Sequence, residues 1–316
     1  MDADSSSPTS PSSPQITLRQ LELFCAAART GSFTAAAQER YVTPNAVAGA
    51  VTDLETALKV RLCVRRRARG LELTGAGEAL LARAQHLLVT AEDLVLNIGD
   101  HDGAPRGPVR LGCYTTLAAT LIPPLWEHVS AHLPGVRLDM VEGTATELAE
   151  QVTAGRLDML IAYEVGLSPE LAARTLFTTE PQVILPADHR LAAHRAPVPL
   201  TELAEDPLIL LDLPPAGENT LELMRQHGLR PRIAHRTTSF ELVRSMVARG
   251  FGYSLLFQRP HIDVSHEGRA LASLPTEPAL PAEPIVLAHD HQVPLTSRAA
   301  AVAAAASELF ARTPHQ

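Results

Sequence analysis

The sequence predicts an α/β protein with an all-α N-terminal part, and three observations carry that expectation. Residues 16–100 place apolar side chains at spacings of three and four, with helix-capping residues between the runs. Residues 109–312 instead alternate short apolar runs with longer helical patterns, which implies βαβ units and a parallel sheet covered by helices. Between them, His101-Asp102-Gly103-Ala104-Pro105-Arg106-Gly107-Pro108 reads as a Gly/Pro-rich hinge. A length of 316 residues with 46% hydrophobic but only 4% aromatic content allows several cores, built from Ala, Leu and Val.

The first helix is expected over Leu18–Thr30, with Leu18, Leu21, Phe24, Cys25 and Ala28 on its inner face. Gly31 ends it, because glycine takes positive φ without cost. Ser32 caps a second helix that turns Phe33, Ala36 and Ala37 inward, and Tyr41-Val42 forms the turn. Thr43 is a good N-cap for a third helix, and Pro44 sits at its first position, where the missing N–H costs nothing. There Val47, Ala50, Val51, Leu54 and Leu58 form the buried stripe, which leaves Asn45, Ala48, Gly49 and Thr52 outside. A short helix, a turn and a second capped helix fit the DNA major groove. Asn45 either pairs with adenine or is a solvated helix-start residue. Ala48 and Gly49 offer no hydrogen-bonding side chain, so thymine methyl contacts and DNA shape gain weight.

Arg61, Arg65, Arg66, Arg67 and Arg69 follow at once and are expected to meet phosphates from a wing. The net charge of −8 does not oppose this, since residues 16–86 hold 10 Lys and Arg against 6 Asp and Glu. The first fifteen residues, rich in Ser and Pro, read as a disordered tail and lack the apolar core of a secretory signal. No run reaches the roughly 18 apolar residues of a membrane span. Cys25, Cys63 and Cys113 match neither a disulfide framework nor a zinc spacing, which points to the cytoplasm.

The stretch Leu18-Arg19-Gln20-Leu21, Gly31-Ser32-Phe33-Thr34-x-Ala36-Ala37, Val42-Thr43-Pro44-x-Ala46-Val47, Leu54-Glu55, Leu58, Leu62-x-x-Arg65 and Leu73-Thr74-x-Ala76-Gly77 resembles LysR-type transcriptional regulators. The resemblance implies a winged helix-turn-helix, and the expected DNA-binding residues are Ser32, Phe33, Thr34, Thr43, Pro44, Asn45, Ala48, Gly49, Thr52, Arg65, Arg66, Arg67 and Arg69. Ala48 stands where the family usually carries Ser, Gly49-Ala50 where it carries a polar or basic pair, and Cys63 where it carries Phe. Thr74 then caps a long helix in which Leu80, Ala84, Leu87, Ala91, Leu94 and Ile98 alternate by four and three as a heptad seam. Such a helix packs either on its own domain or on a second copy. The resemblance implies the latter, a dimerisation helix.

Beyond the hinge, strands are expected at 109–113, 136–141, 159–162, 182–185, 208–211, 253–256 and 285–288. Helices are expected at 116–132, 144–154, 220–227 and 239–249, with an Ala-rich one running to Arg312. The pieces Gly112…Leu121-Ile122-Pro123, Glu142-Gly143-x-x-x-Glu147-Leu148, Gly155-x-Leu157-Asp158 and Val247-Ala248-x-Gly250-x-Gly252 resemble the LysR effector domain. That implies a two-lobed fold of the type 2 periplasmic-binding-protein kind, with its ligand between the lobes. Tyr114, Thr115 and Thr116 follow the first strand, where hydroxyls and a helix N-terminus suit an anionic group. Thr144 begins the next helix, Asp212 follows a strand, and Tyr163 and Tyr253 are expected to wall the site. Thr116 and Thr144 would serve equally well as helix caps. Asp212 either favours an amine-bearing ligand or caps a turn.

The expected divisions are a tail (1–15), a winged helix-turn-helix (16–73), a linker helix (74–100), a hinge (101–108) and an effector domain (109–316). Lobe 1 of that domain takes about 109–181 and 286–316, and lobe 2 about 182–285. The expected partners are palindromic promoter DNA, a small-molecule effector, further copies of the chain as homodimer or homotetramer, and RNA polymerase. No cofactor or metal is expected. The sequence holds no HExxH, GxSxG, P-loop or CxxC, so an enzyme is disfavoured. A transport solute-binding protein would lack the helix-turn-helix, and a redox-sensing regulator would need a cysteine pair where only Cys113 stands.

Overall fold

In the computed structural model the chain divides into two compact units, Met1–Glu92 and Asp93–Gln316. The structure describes residues 16–66, 70–98, 104–193, 195–258, 260 and 262–312. The expected tail, the first three hinge residues, Arg67 and Arg69 lie outside the described residues.

The first unit opens with α1 (Leu18–Thr30), α2 (Phe33–Glu39) and α3 (Pro44–Leu58). Each start is set by a side chain that accepts an otherwise orphaned backbone N–H. Thr17 and Gln20 form a reciprocal capping box on α1, Ser32 accepts from Ala35, and Thr43 accepts from Ala46 at 3.2 Å. Gly31 closes α1 at φ 64°, as its position predicted. The inner face of α1 is wider than the sequence suggested. Leu23, Ala26 and Ala27 are buried as well, while Leu18 is exposed.

The reason is that α1 serves two clusters. One joins Leu21, Phe24 and Cys25 to Val51 and Leu54, and the other joins Leu23, Ala26 and Ala27 to Ala36, Ala37, Val47 and Ala50. Alanines dominate the second, so the three helices approach closely. The antiparallel hairpin β1 (Cys63–Arg66) and β2 (Gly70–Leu73) forms the wing, and α4 (Gly75–Ile98) follows.

Helix α4 does not keep its heptad seam free along its whole length. Leu80, Leu81, Ala84 and Leu88 pack against the unit's own core, while Leu87 and Leu94 stay 48% and 61% exposed. Two of the six seam positions, Leu80 and Ala84, are therefore taken up inside the unit.

In the second unit, β3 (Gly107–Tyr114), α5 (Thr115–His132), β4 (Val136–Gly143), α6 (Ala145–Thr153) and β5 (Met159–Tyr163) make the expected parallel βαβ units. All five residues of β5 are buried, as befits a strand covered on both faces. The sheet is mixed rather than parallel, however. The late strand β13 (Glu283–Asp290) enters it antiparallel to both its neighbours, β5 and β6 (Leu171–Thr179), and the order is β4-β3-β5-β13-β6. The sequence pattern gave no sign of β6. It lies at the edge of the sheet, with residues 172–175 largely exposed, and is too polar in its middle to read as an apolar run.

The other lobe holds β7 (Gln182–Pro186), β8 (Val198–Pro199), β9 (Pro207–Leu211), α7 (Ala216–Gln226), β10 (Arg232–Thr237), α8 (Phe240–Ala248), β11 (Ser254–Leu256) and β12 (Leu271–Glu277). Its strands pair as β11-β7-β12-β8 and β10-β9. The final helix α9 (Ser297–Arg312) supplies Val302, Ala306 and Phe310 to the core that contains the five-stranded sheet.

One contact in the first unit tolerates no added atom. A Cβ on Gly77 would lie 2.1 Å from the Leu62 carbonyl oxygen, which accepts the Thr74 N–H at 3.0 Å. Gly77→Ala is therefore expected to destabilise this unit by about 3 kcal/mol, the range of an overpacked core. Urea unfolding of the full chain, followed by helical circular dichroism, should show an earlier N-terminal transition. An unchanged profile would mean that α4 slides freely past Leu62.

Candidate nucleic-acid interface and effector cavity

The outer face of α3 carries exposed Asn45, Gly49 and Thr52, with Ala48 beside them. A Cβ on Gly49 would meet nothing within 4 Å. No packing inside the chain therefore requires a glycine there, and its effect is a bare backbone on the outward surface. The Thr52 hydroxyl donates to the Ala48 carbonyl at 2.9 Å, so only its lone pairs remain to meet a partner. Thr34 is exposed on α2, whereas Phe33 packs into both helical clusters. Ser32, Thr43 and Pro44 shape helix starts.

Glu55, known from the sequence only as part of the family resemblance, fastens α3 to the wing. Its Oε1 accepts the Leu62 and Cys63 N–H groups at 2.8 and 3.3 Å, and its Oε2 meets Arg61 at 3.0 Å. A groove of about 470 Å³ runs between α3 and the hairpin, walled by Ala48, Val51, Thr52, Arg61, Cys63 and Val64 among others. Arg65 and Arg66 lie on β1, paired in register with Leu71 and Gly70. A basic hairpin thus stands beside an exposed helix face.

In the second unit a small cavity of about 20 Å³, room for one water molecule, is lined by residues from both lobes. Thr116, Tyr163, Val165 and Glu283 come from the five-stranded lobe. Leu211, Pro215, Ala216, Asn219, Thr220, Phe240, Leu255, Leu256, Phe257 and Gln258 close the other side. Of the seven effector residues expected from sequence, two line it. Thr116 is buried and hydrogen-bonded to the Tyr163 hydroxyl, whose pKa burial pushes up.

The other five have different tasks. Tyr114 is fully buried, and its hydroxyl lies 3.2 Å from the carbonyls of both Leu213 and Pro214, so it ties one lobe to the other. Thr115 donates to Gly143 at 3.2 Å. Thr144 closes a capping box with Glu147 on α6. Asp212 pairs with Arg236 at 3.2 Å, and its backbone N–H donates to Thr237. Tyr253 is a correction, being 2% exposed in the core of its own lobe with its hydroxyl on the Met224 sulfur. An aromatic side chain beside a short strand fits a site wall and a core equally well, and the burial of Leu255 and Leu208 beside it decided for the core.

Asn219, Gln258 and Glu283 were not legible in the sequence because they are more than fifty residues from the Thr116 loop and belong to no motif. Removing the Tyr114 hydroxyl is expected to loosen the lobes. Tyr114→Phe keeps the edge-on contact with Tyr163 (ring centroids 5.6 Å apart) but leaves a carbonyl unpaired, a cost of about 1–3 kcal/mol. Thermal unfolding of the full chain should show a lower midpoint for the second unit. An unchanged midpoint would mean that water replaces the hydroxyl without loss.

Comparison with known proteins agrees with both halves of this picture. The model for the LysR substrate binding domain matches residues 102–311, and that for the bacterial regulatory helix-turn-helix protein, lysR family, matches residues 18–78. The HTH-type transcriptional regulator TtuA of Agrobacterium vitis is 33% identical over 76% of this chain and 79% of its own length. HinK, a LysR family transcriptional regulator from Pseudomonas aeruginosa, is 30% identical in its crystal structure, with a TM-score of 0.62 over 94% of this chain and 99% of that one. A full-length OxyR variant from Pseudomonas aeruginosa shares the fold at a TM-score of 0.74 and 21% identity, over 96% of this chain and all of the other. With matches that cover both the helix-turn-helix and the two-lobed domain, the chain belongs to the LysR family of transcriptional regulators and is a DNA-binding regulator with an effector-binding domain.

Proposed function

We propose that this regulator grips a palindromic promoter through α3 and the β1–β2 wing, as a dimer or tetramer, and that a small molecule between its lobes changes how it holds the DNA. The observation that carries the reading is the cavity walled from both lobes. A ligand that touches both sides stabilises one relative placement of the lobes over another. It biases the regulator only by that differential affinity. Such a protein works in the cytoplasm, where it meets promoter DNA and RNA polymerase.

The DNA-contacting set is Thr34, Asn45, Ala48, Gly49 and Thr52 for the groove, with Arg65, Arg66, Arg67 and Arg69 for phosphates. Ser32, Phe33, Thr43 and Pro44 hold the helices that present them. Thiol redox sensing has little support. Cys113 is fully buried and its pKa is pushed well up, chiefly by burial, while burial raises Cys25 and Cys63 to about 11. Reactive thiols need the opposite.

Replacing Arg65, Arg66 and Arg67 together by Ala should weaken binding to every DNA sequence and flatten the salt dependence of log K. The slope should fall by about 0.9 for each phosphate that is no longer neutralised. Weaker binding at an unchanged slope would remove the phosphate assignment. For assembly, Leu87→Asp sets a carboxylate on the exposed part of α4. Sedimentation at micromolar concentration should then show smaller species, with operator binding abolished. Unaltered assembly would place the oligomer contacts elsewhere.

A further inference from the structure

The lining of the inter-lobe cavity carries information about charge that the family fold does not. We propose that the cavity selects a small apolar molecule bearing one protonated amine, held by Glu283 and Gln258, over a carboxylate of the same body. The inference rests on the reading of this cavity as the effector site.

Eight lining side chains, Val165, Leu211, Pro215, Ala216, Phe240, Leu255, Leu256 and Phe257, are apolar, so a ligand that the lobes part to admit has an apolar body too. Among the lining residues none is Lys, Arg or His, and Glu283 is the one that carries a formal charge. A carboxylate ligand would enter a low-dielectric space facing a like charge and no counter-ion, which is costly. Burial raises the Glu283 pKa, the Val165 N–H opposes that rise and the nearby Glu164 adds a smaller one, so a cation beside the carboxylate favours its charged form and an anion disfavours it. One oxygen of Glu283 already accepts the Val165 N–H at 2.8 Å, which fixes the carboxylate at the cavity wall.

Gln258 is the second observation. It is 9% exposed, its amide nitrogen donates to Thr120 Oγ1, and its Oε1 is buried without a hydrogen-bond partner. A buried acceptor left unpaired costs free energy until a donor reaches it. An ammonium group brings three donors and no acceptor, which suits one carboxylate and one amide oxygen.

Three helix N-termini also border the space, those of α5, α7 and α8, each supplying about half a positive charge, and at α8 the Ser239 hydroxyl already accepts the Leu242 N–H. The first amide of α7 is already engaged, since the Ala216 N–H donates to Leu213 at 2.7 Å and to the Tyr114 phenol oxygen. At α5 the Thr115 hydroxyl is committed to Gly143. These are partial charges spread over backbone N–H groups, whereas Glu283 is the one lining side chain able to carry a whole charge. The Thr116 and Thr220 hydroxyls and the Asn219 amide donate and accept alike, and so do not discriminate by charge.

The test uses three probes with one aromatic body: 2-phenylethylamine, 2-phenylethanol and 3-phenylpropanoate. Binding of each to the full chain at pH 7 is followed by calorimetry and thermal shift. The amine is expected to bind tightest, at least tenfold over the carboxylate. Glu283→Gln, which keeps the acceptor for Val165, should erase that preference and leave the alcohol unaffected. A carboxylate that binds as well as the amine overturns the proposal, as does an amine preference that survives in Glu283→Gln or the absence of binding by all three. Asn219→Trp, which fills the cavity from a half-buried helix position, separates this from the site assignment. Alcohol or carboxylate binding that Asn219→Trp abolishes keeps the cavity as the effector site while the amine class falls. Binding of every probe undiminished in Asn219→Trp removes the site itself.

Discussion

The second unit depends on an aromatic junction between its lobes. Tyr114 lies edge-on to Tyr163 at 5.6 Å, and Tyr163 edge-on to Phe257 at 6.1 Å. In a chain with only 4 Tyr, 7 Phe and 1 Trp, three aromatic rings gathered at one junction are a concentrated use of scarce material. The first ring ends in a hydroxyl placed against the Leu213 and Pro214 carbonyls, the second in one bound to Thr116. Packing area and hydrogen bonding therefore act on the same side chains.

The first unit solves a different problem, that of presenting one helix rigidly while leaving its outer face bare. Alanines at 26, 27, 36, 37 and 50 bring α1, α2 and α3 close, so that short helices still bury a dense core. Glu55 then commits both oxygens to the start of the wing, at Leu62, Cys63 and Arg61. Because that carboxylate is largely buried, its hydrogen bonds are shielded from water and hold the hairpin beside α3. The groove between them follows from this tie.

Charge is distributed to match these two tasks. Five arginines, Arg61, Arg65, Arg66, Arg67 and Arg69, stand on and around the wing, while the cavity lining carries one carboxylate and no base. A global net charge of −8 describes neither surface. Local fields, not the net charge, decide which ions approach each surface.

The sequence by itself determined the helices of the first unit, nearly to the residue, because caps and periodicity are local. Thr17, Gly31, Ser32 and Thr43 act on atoms within four positions of themselves. It also determined the parallel βαβ start of the second unit and placed Thr116 and Tyr163 beside a strand end. Tertiary structure alone decided that β13 runs antiparallel between β5 and β6, since pairing partners more than a hundred residues apart leave no local mark. It decided that Tyr253 enters a core, that Leu80 and Ala84 of the α4 seam pack into their own unit, and that the Tyr114 hydroxyl reaches the Leu213 and Pro214 carbonyls. Above all it brought Glu283 and Gln258 to Thr116 and Tyr163. A binding site is a set of side chains converging from distant segments, and convergence is a property of packing, which periodicity along one chain does not encode.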